Sequence, residues 1–241
     1  AMPEFAAVEW VNGNLKDFGD LKAAMKGVKK VVFVPLLASR AGSDPTYFKD
    51  TVFEDIELNR MVYSEAVGEL IRLSKQEGVD KFVLVSSAGV GMSLSSSKVA
   101  LDEAKNLADE AKGRWRPSRL EPAMLEPGVI AAKLRGEELL KNSGLPYTIV
   151  RAFSPPPRPW NDPKPQDFEI GIFQGQGVSG VITREDLGHV AAQALMRSET
   201  SSTTFEAIGV PKNLAPTQLA VLQAMNPQFP NWKESLGSLR S

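Results

Sequence analysis

Short β-branched, apolar runs alternate along this chain with longer stretches spaced for helices, the pattern of βαβ units around a parallel sheet. The strand candidates are Ala7–Val11, Lys30–Pro35, Asp80–Ser86, Pro146–Ala152, Phe168–Phe173, Val178–Thr183 and Thr203–Ile208. Val31–Val34 and Phe82–Val85 are apolar at every position, as interior parallel strands are when covered on both faces. Between the strands the spacing predicts helices over Lys16–Met25, Phe53–Glu77, Lys98–Lys112, Val129–Asn142, Glu185–Met196 and Thr217–Met225, with a loose tail behind the last. Ile56, Met61, Val67, Leu70 and Ile71 form much of the buried stripe of the second helix, and Gly78 supplies its left-handed stop. Six prolines within Ser154–Gln166 exclude regular structure there. That segment reads as a surface loop or lid, with a polyproline ligand for a partner as the alternative. The fold class expected is α/β: a mostly parallel sheet with helices on both faces, in one domain over residues 1–241.

Composition narrows the chemistry. The 241 residues include no cysteine and one histidine, His189. Structural zinc, iron–sulfur clusters, thiol nucleophiles and histidine-based triads are thereby removed. Reactions must run on carboxylates, hydroxyls, lysine or a borrowed cofactor. Twenty-eight basic against 29 acidic residues leave a formal charge of −1, which argues against a nucleic-acid partner. No apolar run approaches a membrane-spanning length, so membrane contact is restricted to peripheral association. Ala1–Phe5 reads as a processing or cloning scar and is left out of the fold reasoning. The absence of cysteine fits a reducing compartment.

One G-x-G-x-x-G is present, at Gly175, Gly177 and Gly180. A dinucleotide turn opens a helix, whereas this one leads into β-branched Val181-Ile182-Thr183, so a hairpin or bulge is the better reading. His189 falls at the edge of its helix's buried stripe, as an ordinary surface histidine. The charged stretch Asp102–Lys112 reads as a solvated helix face. Two features carry more. Val83-Leu84-Val85 ends in Ser86-Ser87-Ala88-Gly89, and ligands of open α/β sheets bind outside the carboxyl ends of strands. Lys133 lies on the helix just upstream of Gly144–Arg151. It is either an exposed helix lysine or a hydrogen-bond donor to ribose hydroxyls.

Together these stretches resemble the atypical short-chain dehydrogenase/reductase superfamily, in its NmrA-like, NAD(P)-binding branch. Val8–Leu15 is similar to the family's third strand and the turn beside adenine, with Asn14 in place of an aspartate. Lys26–Val34 resembles the fourth strand, Gly78–Ser87 the fifth, and Ile182–Leu187 a later strand–helix junction. Lys133–Leu140 followed by Ser143–Arg151 is the closest match. The resemblance covers roughly residues 7–210, leaving 211–241 as a C-terminal helix and tail, and implies a Rossmann-like fold. It implies Ser86, Ser87 and Lys133 as catalytic residues. For an NADP or NAD cofactor it implies contacts at Asn14, Leu15, Pro35, Leu36, Ser86, Lys133 and Phe153. It implies no metal.

Two parts of the family pattern are missing. The first strand, glycine-rich phosphate turn, first helix and second strand should precede residue 7, where only six residues stand. The superfamily's proton-donating tyrosine, four positions before the lysine, is Val129. The gap has three resolutions: an incomplete sequence, direct pairing of Ala7–Val11 with Val31–Val34, or a partner chain filling it. The expectation drawn is a reductase-like domain serving as a non-catalytic accessory, scaffold or assembly subunit with protein partners. The alternatives are an NAD(P)H-dependent reductase or isomerase lacking its N-terminal unit here, and a dinucleotide-sensing regulator. Plastid members of this branch phrase the lysine helix similarly. The resemblance therefore implies a plastid location, with the cytoplasm as alternative.

Overall fold

The computed structural model describes residues 8–35, 56–88, 90, 127–152, 168–174, 182–214, 216–228 and 230–239. Five strands form one sheet: β1 (Lys30–Phe33), β2 (Lys81–Ser87), β3 (Tyr147–Ala152), β4 (Phe168–Phe173) and β5 (Thr203–Pro211). Their spatial order is β1-β2-β3-β5-β4. The first four in that order run parallel, and β4 pairs antiparallel with β5. This is the expected Rossmann-like, mostly parallel α/β architecture.

Helices cover both faces. On one side Leu21 and Met25 of α1 (Phe18–Met25) and Val67, Leu70, Ile71 and Leu73 of α3 (Ala66–Glu77) pack on Phe82, Leu84 and Ile149. Leu140 of α4 (Pro127–Lys141) completes that layer. On the other side Val190, Ala191 and Ala194 of α5 (Arg184–Met196) meet Val83, Val85, Val150 and Phe205. Every second strand residue therefore serves one layer and its neighbours the other, which is why these strands read as unbroken apolar runs.

Local chemistry sets the boundaries. Asp17 caps α1, its side chain accepting from the Gly19 N–H. Thr183 caps α5, accepting from the Asp186 N–H at 3.0 Å while its hydroxyl donates to the Asp186 carboxylate at 2.8 Å. Gly78 stops α3 at φ 65°, the left-handed conformation that favours glycine. The long helix expected over Phe53–Glu77 is described from Ile56 and has three parts. These are α2 (Ile56–Arg60), a π-helical turn over Met61–Glu65, and α3. The Ala66 N–H reaches back to the Met61 carbonyl, a five-residue step that defines the π turn. Helix α4 begins earlier than the spacing suggested, because a proline is well tolerated in a helix's first turn.

Four expectations require correction. The described part of the first strand candidate, Val8–Val11, has no regular structure, and Trp10 is 81% exposed. β-branched composition alone does not make a strand without a neighbour to pair with, and β1 pairs with β2. Lys30–Pro35 was expected as an interior strand, yet among the described residues β1 is the sheet edge, with Val32 and Val34 exposed. Ile182 and Thr183 lead into α5 as a cap rather than ending a strand, since the Thr183 side chain is committed to Asp186. Beyond α6 (Pro216–Met225), the tail carries α7 (Trp232–Gly237), whose Leu236 is fully buried against the sheet. Asn226 ties it in, donating to the Ile172 carbonyl at 2.6 Å and the Ser235 hydroxyl at 2.8 Å. The Lys98–Lys112 helix, the proline-rich segment and the glycine triplet lie outside the described residues, as do Leu36 and Phe153.

Candidate active site at the carboxyl rim of the sheet

Parallel pairing places the ends of β2 and β3 level with each other and with the middle of β5. Ser86 aligns with Arg151 and Arg151 with Glu206; one residue further, Ser87 aligns with Ala152 and Ala152 with Ala207. Polar side chains thus collect at the rim of a sheet whose interior rows are apolar, beneath helix α4.

Lys133 reaches this rim from α4. Its Nζ donates to the Ser87 Oγ and stands 4.4 Å from the centroid of the Tyr63 ring. Tyr63 comes from the π-helical turn and is buried, as are its neighbours Val62 and Ser64. Three consecutive buried residues do not fit the stripe of a regular helix, and the π turn turns them all inward. Gly136, one turn after Lys133, permits the approach: a Cβ there would lie 2.1 Å from the Tyr63 carbonyl oxygen. Burial pushes the Lys133 ammonium down to about 8, against the opposing charge of Glu137. The aromatic face also favours the charged form.

Glu137 is fully buried and forks onto Arg151, with Oε2 2.7 Å from Nη2 and Oε1 3.1 Å from Nε. Arg151 also meets Glu206 Oε1 at 3.5 Å, and Lys141 lies 3.5 Å from Glu137. Two planar contacts between α4 and β3 fix the helix's rotation on the sheet, and with it the position of Lys133 one turn away. Burial pushes the Glu206 carboxyl above its ordinary range, against the pull of Arg151. Its Oε2, like the Ser86 Oγ, is buried without a hydrogen-bond partner among the described residues. A polar atom in that condition is costly unless something else satisfies it.

The structure therefore joins Ser87 and Lys133 and sets Ser86 one residue below, on the α4 face beside Arg151. Leu15 packs against the cluster of Val62, Tyr63 and Ala132, close to the same site. Pro35 is half-buried just past β1. Asn14 is exposed and its side chain is committed to its own turn, accepting from the Lys16 N–H at 3.0 Å. Val129 lies within α4. His189 is exposed on α5, as expected. A cavity of about 480 Å³ lined by Ile170, Asp186, Lys212 and Trp232 lies elsewhere, between β4 and α7.

Sequence reasoning did not find Tyr63 or the Glu137–Arg151–Glu206 cluster. The signals were present: Gly136 in a helix interior marks a close crossing, and charged residues inside the apolar runs of β3 and β5 demand buried partners. The donor set at the rim, two hydroxyls and an ammonium, suits a substrate carbonyl and the hydroxyls of a nicotinamide ribose.

Comparison with known proteins places the chain in a family. A chloroplastic Arabidopsis thaliana protein described as uncharacterised is 30% identical over 143 residues, covering 58% of this chain and 42% of that protein. The match therefore spans less than half of that relative's length. The oxidoreductase YlbE of Lactococcus lactis has a TM-score of 0.53 at 13% identity, over 92% of this chain and 80% of that one. A Bacillus halodurans protein provisionally described as an NAD-dependent epimerase/dehydratase has a TM-score of 0.52 at 22% identity, over 83% and 72%. At such identities these two structures show a shared fold. A family model described as NAD(P)H-binding matches residues 1–198, and the resemblance to the atypical, NmrA-like reductases fits that match. The chain belongs to the NAD(P)H-binding family.

Proposed function

We propose that this chain forms the substrate side of an NAD(P)H-dependent oxidoreductase, a reductase or isomerase acting on a carbonyl-bearing small molecule. The observation that carries this reading is the contact of Lys133 with Ser87 at the carboxyl rim, against the Tyr63 ring. What sets this lysine apart from a structural one is its place, against a hydroxyl at the carboxyl end of a parallel strand, where ligands of such sheets bind. Bound NAD(P)H would supply the hydride. Ser87 orients the substrate oxygen, and Lys133, with one of its three N–H donors given to Ser87, offers the others to ribose hydroxyls. Leu15 and Pro35 stand on the side of the sheet from which the adenine half would approach. By analogy with the chloroplastic relative, the protein works in the plastid.

The accessory-subunit reading keeps one observation of its own: among the described residues β1 is the sheet edge, with Val32 and Val34 exposed. An open edge of that kind favours strand pairing with other protein segments.

Absorbance at 340 nm during incubation of the full-length protein with NADPH and a panel of quinones and ketones separates the two. Substrate-dependent loss of NADPH, reduced at least tenfold in Lys133→Met, supports the oxidoreductase. NADPH bound without any oxidation favours the regulator, and no binding favours the scaffold.

A further inference from the structure

Reduction of a carbonyl leaves its oxygen in need of a proton, and Val129 cannot give one. We propose that Ser87 and Lys133 form a proton-delivery pair, in which Ser87 protonates the substrate oxygen and Lys133 reprotonates Ser87. The proposal rests on the oxidoreductase reading above, with a reduced nicotinamide dinucleotide as reductant. As the carbonyl carbon accepts the hydride and its new C–H bond forms, the π pair moves onto oxygen. The Ser87 O–H bond breaks and its proton bonds to that oxygen. A Lys133 N–H bond breaks in turn, and that proton moves to Ser87 Oγ, leaving a neutral amine that solvent reprotonates.

Geometry selects this pair. Ser87 is the last residue of β2, so its hydroxyl stands at the rim where a ligand of a parallel sheet arrives. Lys133 donates directly to it. Ser86 points instead to the row of Arg151, beneath α4. Tyr63 turns its ring face toward the ammonium, so the aromatic system acts on the charge of Lys133. An acid that titrates near working pH transfers protons most effectively, and burial brings Lys133 to about 8.

Among the described residues the charges around Lys133 are few. Glu137 on its own helix is the one that acts on it, and Glu137 is itself held by Arg151, with Glu206 behind. On the helical segments packed against α4, Arg60 pairs with Glu57 and Glu65, and Arg72 with Glu69.

Two readouts on the full-length protein test the pair. The first needs no cofactor: titration of 13C-lysine-labelled protein by NMR, with the Lys133 signal assigned by its loss in Lys133→Arg. The expected midpoint is near 8, kept in Tyr63→Phe and lowered in Tyr63→Leu, which loses the ring. A midpoint at the ordinary lysine value, or an equal shift in both Tyr63 variants, overturns the proposal. The second is the pH profile of kcat for NADPH-dependent reduction of phenanthrenequinone. Activity should fall above pH 8 in the wild type, and Ser87→Ala should lose tenfold or more in kcat with NADPH affinity kept. A larger loss in Tyr63→Phe than in Ser87→Ala overturns the pair and gives the proton to the Tyr63 hydroxyl. Absence of NADPH oxidation fails the oxidoreductase reading itself, whereas oxidation untouched by Ser87→Ala fails the pair alone.

Discussion

Among the described residues burial depresses the pKa of two lysines, and they do different things. Lys133 donates to Ser87 at the carboxyl rim. Lys81 lies buried at the opposite, amino end of β2, donating to the Arg197 carbonyl at 2.7 Å, Thr200 Oγ1 at 2.8 Å and Ser201 Oγ at 3.0 Å. It ties β2 to the turn that leads into β5. Burial pushes its ammonium down to about 8, against the opposing charge of Glu199. The sign of the consequence follows from linkage. Between about pH 8 and the unfolded value near 10.4, the unfolded chain holds a proton that the folded one has released, so stability rises with pH across that window. Below pH 8 both states are protonated and the contribution is lost. Urea unfolding at pH 7.5 and 9.5 should therefore show a gain for the wild type relative to Lys81→Met. Parallel pH dependence in the two proteins would show that Lys81 is not depressed. Neither lysine announces this in the sequence. A lysine opening an apolar run reads as a solvated strand end, and Lys133 as a helix lysine, until the neighbouring elements are in place.

Among the elements, the crossing of α4 over the π-helical turn shapes the site most directly. The apolar runs of β2, β3 and β5 were legible because a parallel strand covered on both faces must be apolar throughout. The π turn was not. A single extra residue within a helix leaves the 3.6-residue pattern intact on either side, so Tyr63 reads as core. Gly136 reports the crossing from the other side. Replacing it by alanine would gain up to about 1 kcal/mol of helix propensity. The added Cβ would nonetheless meet backbone, which cannot swing aside, and overpacking of that kind costs about 1–3 kcal/mol or more. Gly136→Ala should thus lower stability in urea unfolding and move the Lys133 NMR midpoint as Tyr63 withdraws. Unchanged or raised stability would mean that the two elements are less closely packed than described. Helix α7 and the edge position of β1 were also hidden, and for one reason. Whether a short apolar stretch is buried depends on what lies across from it, and local spacing holds no information about that.

At the scale of the whole molecule, the sheet order and the collection of polar groups at its carboxyl rim follow from parallel topology. The parallel register brings Ser86, Arg151 and Glu206 level, with Ser87 one residue further toward the rim, while helices from one face deliver Lys133, Glu137 and Tyr63. The resemblance to NmrA-like reductases pointed to Ser86, Ser87 and Lys133, and the structure brings Ser87 and Lys133 into contact. The residues that hold them, Gly136 beneath Tyr63 and Arg151 beneath Glu137, became visible through packing. Calorimetric titration of the full-length protein with NADPH, beside Lys133→Met shown to be folded by circular dichroism, addresses the central claim directly. The prediction is binding by the wild type and an affinity at least about tenfold weaker in the variant, a difference of about 1.4 kcal/mol. No binding by the wild type, or equal affinity in the two proteins, would contradict it.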